Sequence, residues 1–498
     1  MKYVIGIDLG TSAVKVILVN QQGEVCQEVS KAYPLLQPQS GYSEQDPESW
    51  VEQTAAALGE LMATSGVRPE DVEGLSYSGQ MHGLVLLNEQ RQVLRNAILW
   101  NDTRTTPQCR QITDALGDDL LRITKNAALE GFTLPKILWV MQHEPDVFRQ
   151  ARCFLLPKDY LRFRMTGVVC MEFSDAAGTL MLDVADAHWS KEICDRFEIP
   201  DHLCPPLVES CAEVGTLLPE FAERVGLRPE TKVFAGGADN ACGAVGAGIL
   251  SPGATLCSIG TSGVVLSYED DATKDYRGKV HFFNHAQSNA YYSMGVTLAA
   301  GFSLSWFRDT FARNESFEAL VAEVGSTPIG SNGLLFTPYL VGERTPHADS
   351  VIRGSFIGVD GSHRRSDFVR AVMEGITFSL HESIEIFRRE GKRVDTIVSI
   401  GGGAKNDDWL QMQADIFNAT VLKLANEQGP GMGAAVIAAC GCGWFNSLAD
   451  CANAFIRVAK AFHPVAEHVE RYRELYRAYT EVYPATRSIS ERLQPFRR

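Results

Sequence analysis

The chain has 498 residues, more than one hydrophobic core usually supports, so two large domains are expected. Its 45% hydrophobic and 21% charged residues are ordinary for a globular protein and exclude a disordered chain. A formal net charge of −15, without any run of lysines and arginines, argues against nucleic acid and requires that a polyphosphate ligand be held by local amides, a few cations and a metal ion.

The amino terminus places Asp8 where a secretory signal would need an unbroken apolar stretch, and the later apolar stretch around 434–439 is too short for a membrane helix. A cytoplasmic location with no membrane partner is therefore expected, and the 12 scattered cysteines, with no Cys-x-x-Cys, read as buried free thiols. Apolar and β-branched runs predict strands over 3–9, 14–20 and 25–33, the first part closed by a tight turn over 21–24. Asp46-Pro47-Glu48 reads as an N-cap with proline at the first helical position, launching a helix to about 62. Strands follow over 72–78, 84–87 and 93–100, and the alternation of strands and helices beyond them points to layered α/β architecture with mostly parallel inner strands.

A strand over 232–235 leads into Gly236-Gly237 and a small-residue helix over 241–248. Just beyond, 256–263 repeats the plan of 5–12: a strand ending in Gly-Thr-Ser, then a second apolar strand. Internal similarity at that range predicts two related domains, divided as 1–248 and 249–498. The second half should carry a long helix over 366–390, a strand over 396–400 running into Gly401-Gly402-Gly403-Ala404-Lys405-Asn406, a helix from 407, a second small-residue helix over 431–438 and an amphipathic helix over 467–481.

Three glycine-rich turns, around Gly10, Gly260 and Gly402, follow apolar strands, where α/β folds present ligand sites. No Gly-x-x-x-x-Gly-Lys-Ser/Thr occurs, which argues against a P-loop enzyme, and the run from Gly401 fails the dinucleotide fingerprint, with Asn406 where its third glycine should be. Asp8 couples a carboxylate to a turn in which Gly10 and Thr11 can offer donors to phosphate, with Lys15 as a nearby cation; it suits Mg²⁺, although it could also merely close a hairpin. Asp239, between a glycine pair and a helix, can accept a proton from a substrate hydroxyl or cap the helix, and both readings stay open.

These segments resemble the FGGY family of carbohydrate kinases. Asp8-Leu9-Gly10-Thr11-Ser12 is similar to the family's first phosphate motif, 258–263 to its second, with Gly260 and Thr261, and 401–406 to its adenosine motif. Gly131-Phe132-Thr133-Leu134-Pro135-Lys136-Ile137-Leu138-Trp139 is similar to a family signature, and the two small-residue helices to the pair that joins the domains. Segments 79–83, 99–102, 156–160 and 338–347 look most like the members that act on xylulose, whereas Gly41-Tyr42 departs from the apolar-aromatic pair expected there.

The resemblance implies two related actin-like ATPase (ribonuclease H-like) α/β domains with a catalytic cleft between them, and ATP and Mg²⁺ as cofactors. By the same likeness, Met81 and His82 contact the sugar, Asp239 is the catalytic base with Asn240 beside it, Asp8 serves the metal, and Gly402, Gly403 and Asn406 line the nucleotide pocket. Weighed without the likeness, His82 reads first as a structural histidine, the commoner role for a single histidine. The expected reaction is phosphorylation of D-xylulose to D-xylulose 5-phosphate. Open alternatives are kinases for ribulose, fuculose, gluconate or glycerol, and an actin-like chaperone or filament ATPase; a homodimer also stays open.

Overall fold

In the computed structural model, which describes residues 1–497, buried apolar runs build two seven-stranded sheets, one from each half of the chain. The first runs Glu213–Thr216, Lys232–Phe234, Val72–Gly79, Tyr3–Leu9, Ala13–Asn20, Val25–Ala32, with Gly237–Ala238 also paired to Val72–Gly79. Its inner strands Lys232–Phe234, Val72–Gly79 and Tyr3–Leu9 are parallel, while the remaining pairs along that order are antiparallel. Strands covered on both faces carry nearly continuous apolar runs, as Tyr3–Leu9 does.

The second sheet repeats the plan: Ala254–Ile259 runs parallel to Thr396–Gly401, which is parallel to Thr420–Leu424, and pairs antiparallel with Gly263–Glu269 across its Gly-Thr-Ser turn. Tyr291–Thr297, His281–Asn284 and Val458–Phe462 complete it at the edges. The predicted long helix is Arg365–Arg389, and the first helix, Pro47–Ser65, is capped by Asp46, whose side chain accepts from the Glu48 N–H at 3.0 Å.

Two expected elements have other bounds. The strand over 93–100 shrinks to Ala97–Ile98, because Asn88 and Gln92 close a turn with Arg91 at φ 62° and the chain beyond Leu99 turns away, leaving Trp100 45% exposed. The helix over 467–481 instead spans Ala466–Leu493 and runs through Pro484, held by a stripe in which Tyr479 packs on Phe378 and hydrogen-bonds Tyr339. None of the 12 cysteines is paired in a disulfide, and Cys26 is exposed rather than buried. Among the described residues no helix is long and apolar enough to cross a membrane.

The two small-residue helices, Asp239–Gly246 and Pro430–Gly441, pack against each other, and the second also lies on the first sheet although it comes from the second half. Only glycine permits this approach: a Cβ on Gly433 would fall on the Cys242 carbonyl, and one on Gly6 on the Gly431 carbonyl. Gly433→Ala is predicted to destabilise the protein by about 1–3 kcal/mol, the usual cost of overpacking. Calorimetry should show a Tm several degrees lower, with Gly361→Ala, whose added methyl meets open space, unchanged; equal melting of the two variants would contradict this packing.

Candidate active site

Strand register gathers the acidic residues. Within the first sheet Asp8 pairs with Ser78 and Leu9 with Gly79 on one side of Val72–Gly79, while Gly237 pairs with Ser78 and Ala238 with Gly79 on the other. Asp8 and Asp239 therefore leave the carboxyl ends of parallel strands on either side of the segment that becomes Met81-His82, which is where α/β sheets bind ligands. A cavity of about 350 Å³ opens there, lined from the first half by Met81, His82, Trp100, Asp102, Glu130, Phe132, Asp239 and Asn240, and from the second by Ser262, His281, Phe283 and Arg344.

Asp239 is not the helix cap: Ala238 holds that position, and Asp239 is the first helical residue. Its Oδ1 accepts from the Asn240 N–H at 2.7 Å and Nδ2 at 3.0 Å, while Oδ2 has no partner among the described residues and is not sealed from the cavity. Burial, with the Asp8 charge adding to it, raises its pKa to about 7, against the pull of the Asn240 N–H. Burial also pushes the Asp8 carboxyl above the ordinary aspartate range, with Lys15 pulling the other way. The glycine pair ahead of Asp239 serves packing: Gly236 needs its φ of 85° and lies beneath the Tyr77 carbonyl.

His82 sits at φ 68°, a left-handed conformation that a non-glycine residue keeps only when its surroundings enforce it. Its Nδ1 lies 2.6 Å from the Gly178 carbonyl and so carries the proton, and its own carbonyl accepts from Thr133 Oγ1 at 3.0 Å and Lys136 Nζ at 3.1 Å. Burial, with Lys136 and Arg344 nearby, lowers the His82 pKa to about 3, which leaves the ring neutral. Met81 is buried beside it, its sulfur 3.5 Å from Asn240 Nδ2.

In the two Gly-Thr-Ser turns the glycine amides are already engaged, Gly10 N–H to Ala13 O at 3.1 Å and Gly260 N–H to Ser262 O at 3.0 Å. The amides left without protein partners among the described residues are those of Thr11, Ser12, Thr261 and Ser262, so the glycines shape the turns and the next residues hold the free donors. Thr11 Oγ1 accepts from Trp100 Nε1 at 2.9 Å, tying the first turn to the cavity wall. Lys15 reaches into the second half, donating to Gln428 Oε1 at 3.0 Å.

Gly402, Gly403 and Asn406 lie outside the cavity, beside the second turn, since Gly401 pairs with Ile259 at the end of adjacent parallel strands. Gly402 is exposed, Gly403 packs under Ile259, and Asn406 caps the helix Asp407–Phe417 by accepting from the Trp409 N–H at 2.8 Å.

Several residues that complete the site escaped the sequence reading. Lys136, buried in the signature segment, donates to the carbonyls of His82, Gly131 and Phe132, and thereby fixes the turn that carries His82. Lys158, Asp159, Arg162, Glu172 and Asp175 form a fully buried ion network, Lys158 lying 3.1 Å from Glu172 and 2.8 Å from Asp175. Glu172 accepts from Ser174 Oγ at 2.7 Å, which in turn accepts from the Ala238 N–H at 2.9 Å, so the network anchors the residue ahead of Asp239. Segment 156–160 carries a family likeness, but nothing local in it marks its charges as buried.

Residues 3–246 match the N-terminal domain of the FGGY family of carbohydrate kinases, and residues 255–442 match that family's C-terminal domain. The chain is 65% identical to the xylulose kinase of Bacillus subtilis, over 100% of both chains. Among solved structures it resembles the ligand-bound xylulose kinase of Lactobacillus acidophilus, with a TM-score of 0.94, 27% identity and coverage of 99% of this chain and 100% of the other. It also resembles a gluconate kinase of the same organism, with a TM-score of 0.92, 27% identity and coverage of 97% and 98%. The two-domain α/β fold, both domain matches and the full-length relative agree: the chain belongs to the FGGY family of carbohydrate kinases.

Proposed function

We propose that the chain transfers the γ-phosphoryl group of ATP to the terminal primary hydroxyl of D-xylulose, giving D-xylulose 5-phosphate, as a cytoplasmic enzyme of pentose catabolism. The observation that carries this reading is the open Asp239 Oδ2, on a carboxyl with a pKa of about 7, inside a cavity of about 350 Å³ at the strand ends. The choice of xylulose is supported by the relative that is 65% identical over its full length.

In this reading Asp239 orients the terminal hydroxyl and takes its proton, with Asn240 holding Oδ1 so that Oδ2 points to the substrate. Met81 and His82 contact the sugar. The open amides of Thr11 and Thr261, in turns shaped by Gly10 and Gly260, take phosphate oxygens, the threonine hydroxyls can donate their protons beside them, and Lys15 adds a cation at the first turn. Gly402, Gly403 and Asn406 border the adenosine. The two domains, divided at 248 and 249, enclose the substrates between them, and closure would exclude water.

Mg²⁺ fits this site by the chemistry of its donors. The described residues include no cluster of three or more metal-ligating side chains, but Mg²⁺ in kinases asks only for one or two carboxylates completed by phosphate oxygens and water. The recessed Asp8, beside the phosphate turn and close enough to Asp239 to raise its pKa, is such a carboxylate. When bound there, the ion would neutralise charge on the phosphates.

One observation favours a sugar acid instead: Arg344 lines the cavity and has no side-chain hydrogen bond or ion pair among the described residues, an arrangement that would suit the carboxylate of gluconate. A coupled assay across D-xylulose, ribulose, fuculose, gluconate and glycerol decides between them. D-xylulose should give the highest kcat/KM; a clear preference for any other substrate would overturn the assignment. Asp239→Asn should lower kcat by about 10²- to 10⁴-fold with little change in KM or Tm, since asparagine keeps the shape but cannot take the proton. Because the base acts when ionised, kcat should fall as pH drops through about 7 and level off above it. A pH profile flat from 5 to 8 in the parent enzyme would remove Asp239 from proton transfer.

A further inference from the structure

We propose that His281 is a substrate contact that selects the sugar, offering an Nε2 lone pair that only a correctly placed hydroxyl can fill; this rests on the cavity being the sugar site.

His281 opens the strand His281–Asn284 and reaches the cavity from the second half, across from His82. Its protonation is set from behind by Asn126. That amide donates from Nδ2 to Thr124 O at 2.8 Å and to Phe282 O at 2.7 Å, so it cannot be turned over without setting its oxygen against two carbonyls. Oδ1 is then the acceptor, taking the Phe282 N–H at 3.2 Å and facing His281 Nδ1 at 3.1 Å. Nδ1 must therefore carry the proton.

Burial, with Arg344 and His82 nearby, lowers the His281 pKa to about 3, so the second nitrogen is bare at neutral pH. Nε2 has no partner among the described residues, yet it is not sealed in the protein. The same logic holds for His82, whose Nδ1 donates to the Gly178 carbonyl and whose Nε2 is also unpartnered. Both rings are clamped on one aromatic pair: His82 lies 4.8 Å from Phe132, and His281 stacks on Phe283 at 5.5 Å between centroids. The cavity thus holds two acceptor nitrogens, each left bare by the partner that fixes its ring's tautomer, Gly178 for His82 and Asn126 for His281.

A sugar hydroxyl satisfies each lone pair. An analogue that lacks the hydroxyl, or an epimer that turns it away, sets a C–H against a buried acceptor, and sites built to pair a hydroxyl discriminate strongly against its loss. Asn126 is a positioning residue in this scheme, while His281 touches the substrate.

The test uses the full-length protein with D-xylulose and its 1-, 3- and 4-deoxy analogues, in the parent, His281→Phe and His281→Gln. In the parent, deleting the hydroxyl that meets His281 should lower kcat/KM roughly ten- to a hundredfold. In His281→Phe, kcat/KM for D-xylulose should fall by a similar factor, mainly through KM, while the analogue lacking that hydroxyl is little affected and the discrimination collapses. KM for ATP should not change, and His281→Gln, whose carbonyl can accept, should recover part of the loss. A His281→Phe enzyme with the parent's KM and discrimination would overturn the inference alone. If that variant does not fold, the parent series still decides: acceptance of every deoxy analogue within about threefold of D-xylulose would overturn it. A parent inactive on all pentuloses would defeat the functional reading and this inference with it.

Discussion

Two carboxylates held at one end of a parallel sheet are the constraint on which the site depends. Because Tyr3–Leu9 and Gly237–Ala238 both pair with Val72–Gly79, Asp8 and Asp239 emerge on either side of the same strand end. Both are recessed, which disfavours ionisation of each, and the Asp8 charge adds to the cost at Asp239. The surroundings offset this cost in different ways: the Ser78 side chain and the Lys15 charge favour the ionised Asp8, whereas Asp239 has only the N–H groups of Asn240 and keeps one oxygen free. That asymmetry suits one carboxylate to a metal and the other to a proton.

Holding such groups in place takes support from farther out. The ion network of Lys158, Glu172 and Asp175 reaches the helix start at Asp239 through Ser174, and Lys136 locks the turn at His82 through three carbonyls. Buried charges of this kind are costly unless paired and hydrogen-bonded, so they contribute positional definition more than stability. The glycine-mediated contact of Asp239–Gly246 with Pro430–Gly441 brings the second half against the first sheet, so one cavity draws walls from both halves.

Legibility in the sequence followed the range of the interactions. The Gly-Thr-Ser turns, the Asp46 cap and the long helix Arg365–Arg389 are written in adjacent residues and are found where expected. Asp239 stayed ambiguous between cap and base because the difference hangs on whether the helix begins at Asp239 or after it, a one-residue distinction that composition does not carry. His281 left no signal at all, since its role depends on Asn126, 155 residues earlier, and on a strand pairing unrelated to its neighbours. The overextended strand at 93–100 failed for the opposite reason: its residues suit a strand, but tertiary contacts turn Trp100 toward the cavity.

The central claim is that Asp239 directs transfer to one terminal hydroxyl. The most direct measurement is ³¹P and ¹³C NMR of the product formed from D-xylulose and Mg-ATP. A single phosphomonoester on the terminal carbon remote from the ketone, formed mole for mole with ADP, is the predicted result. Phosphate on another carbon, a mixture of positional isomers, or inorganic phosphate as the main product would contradict it.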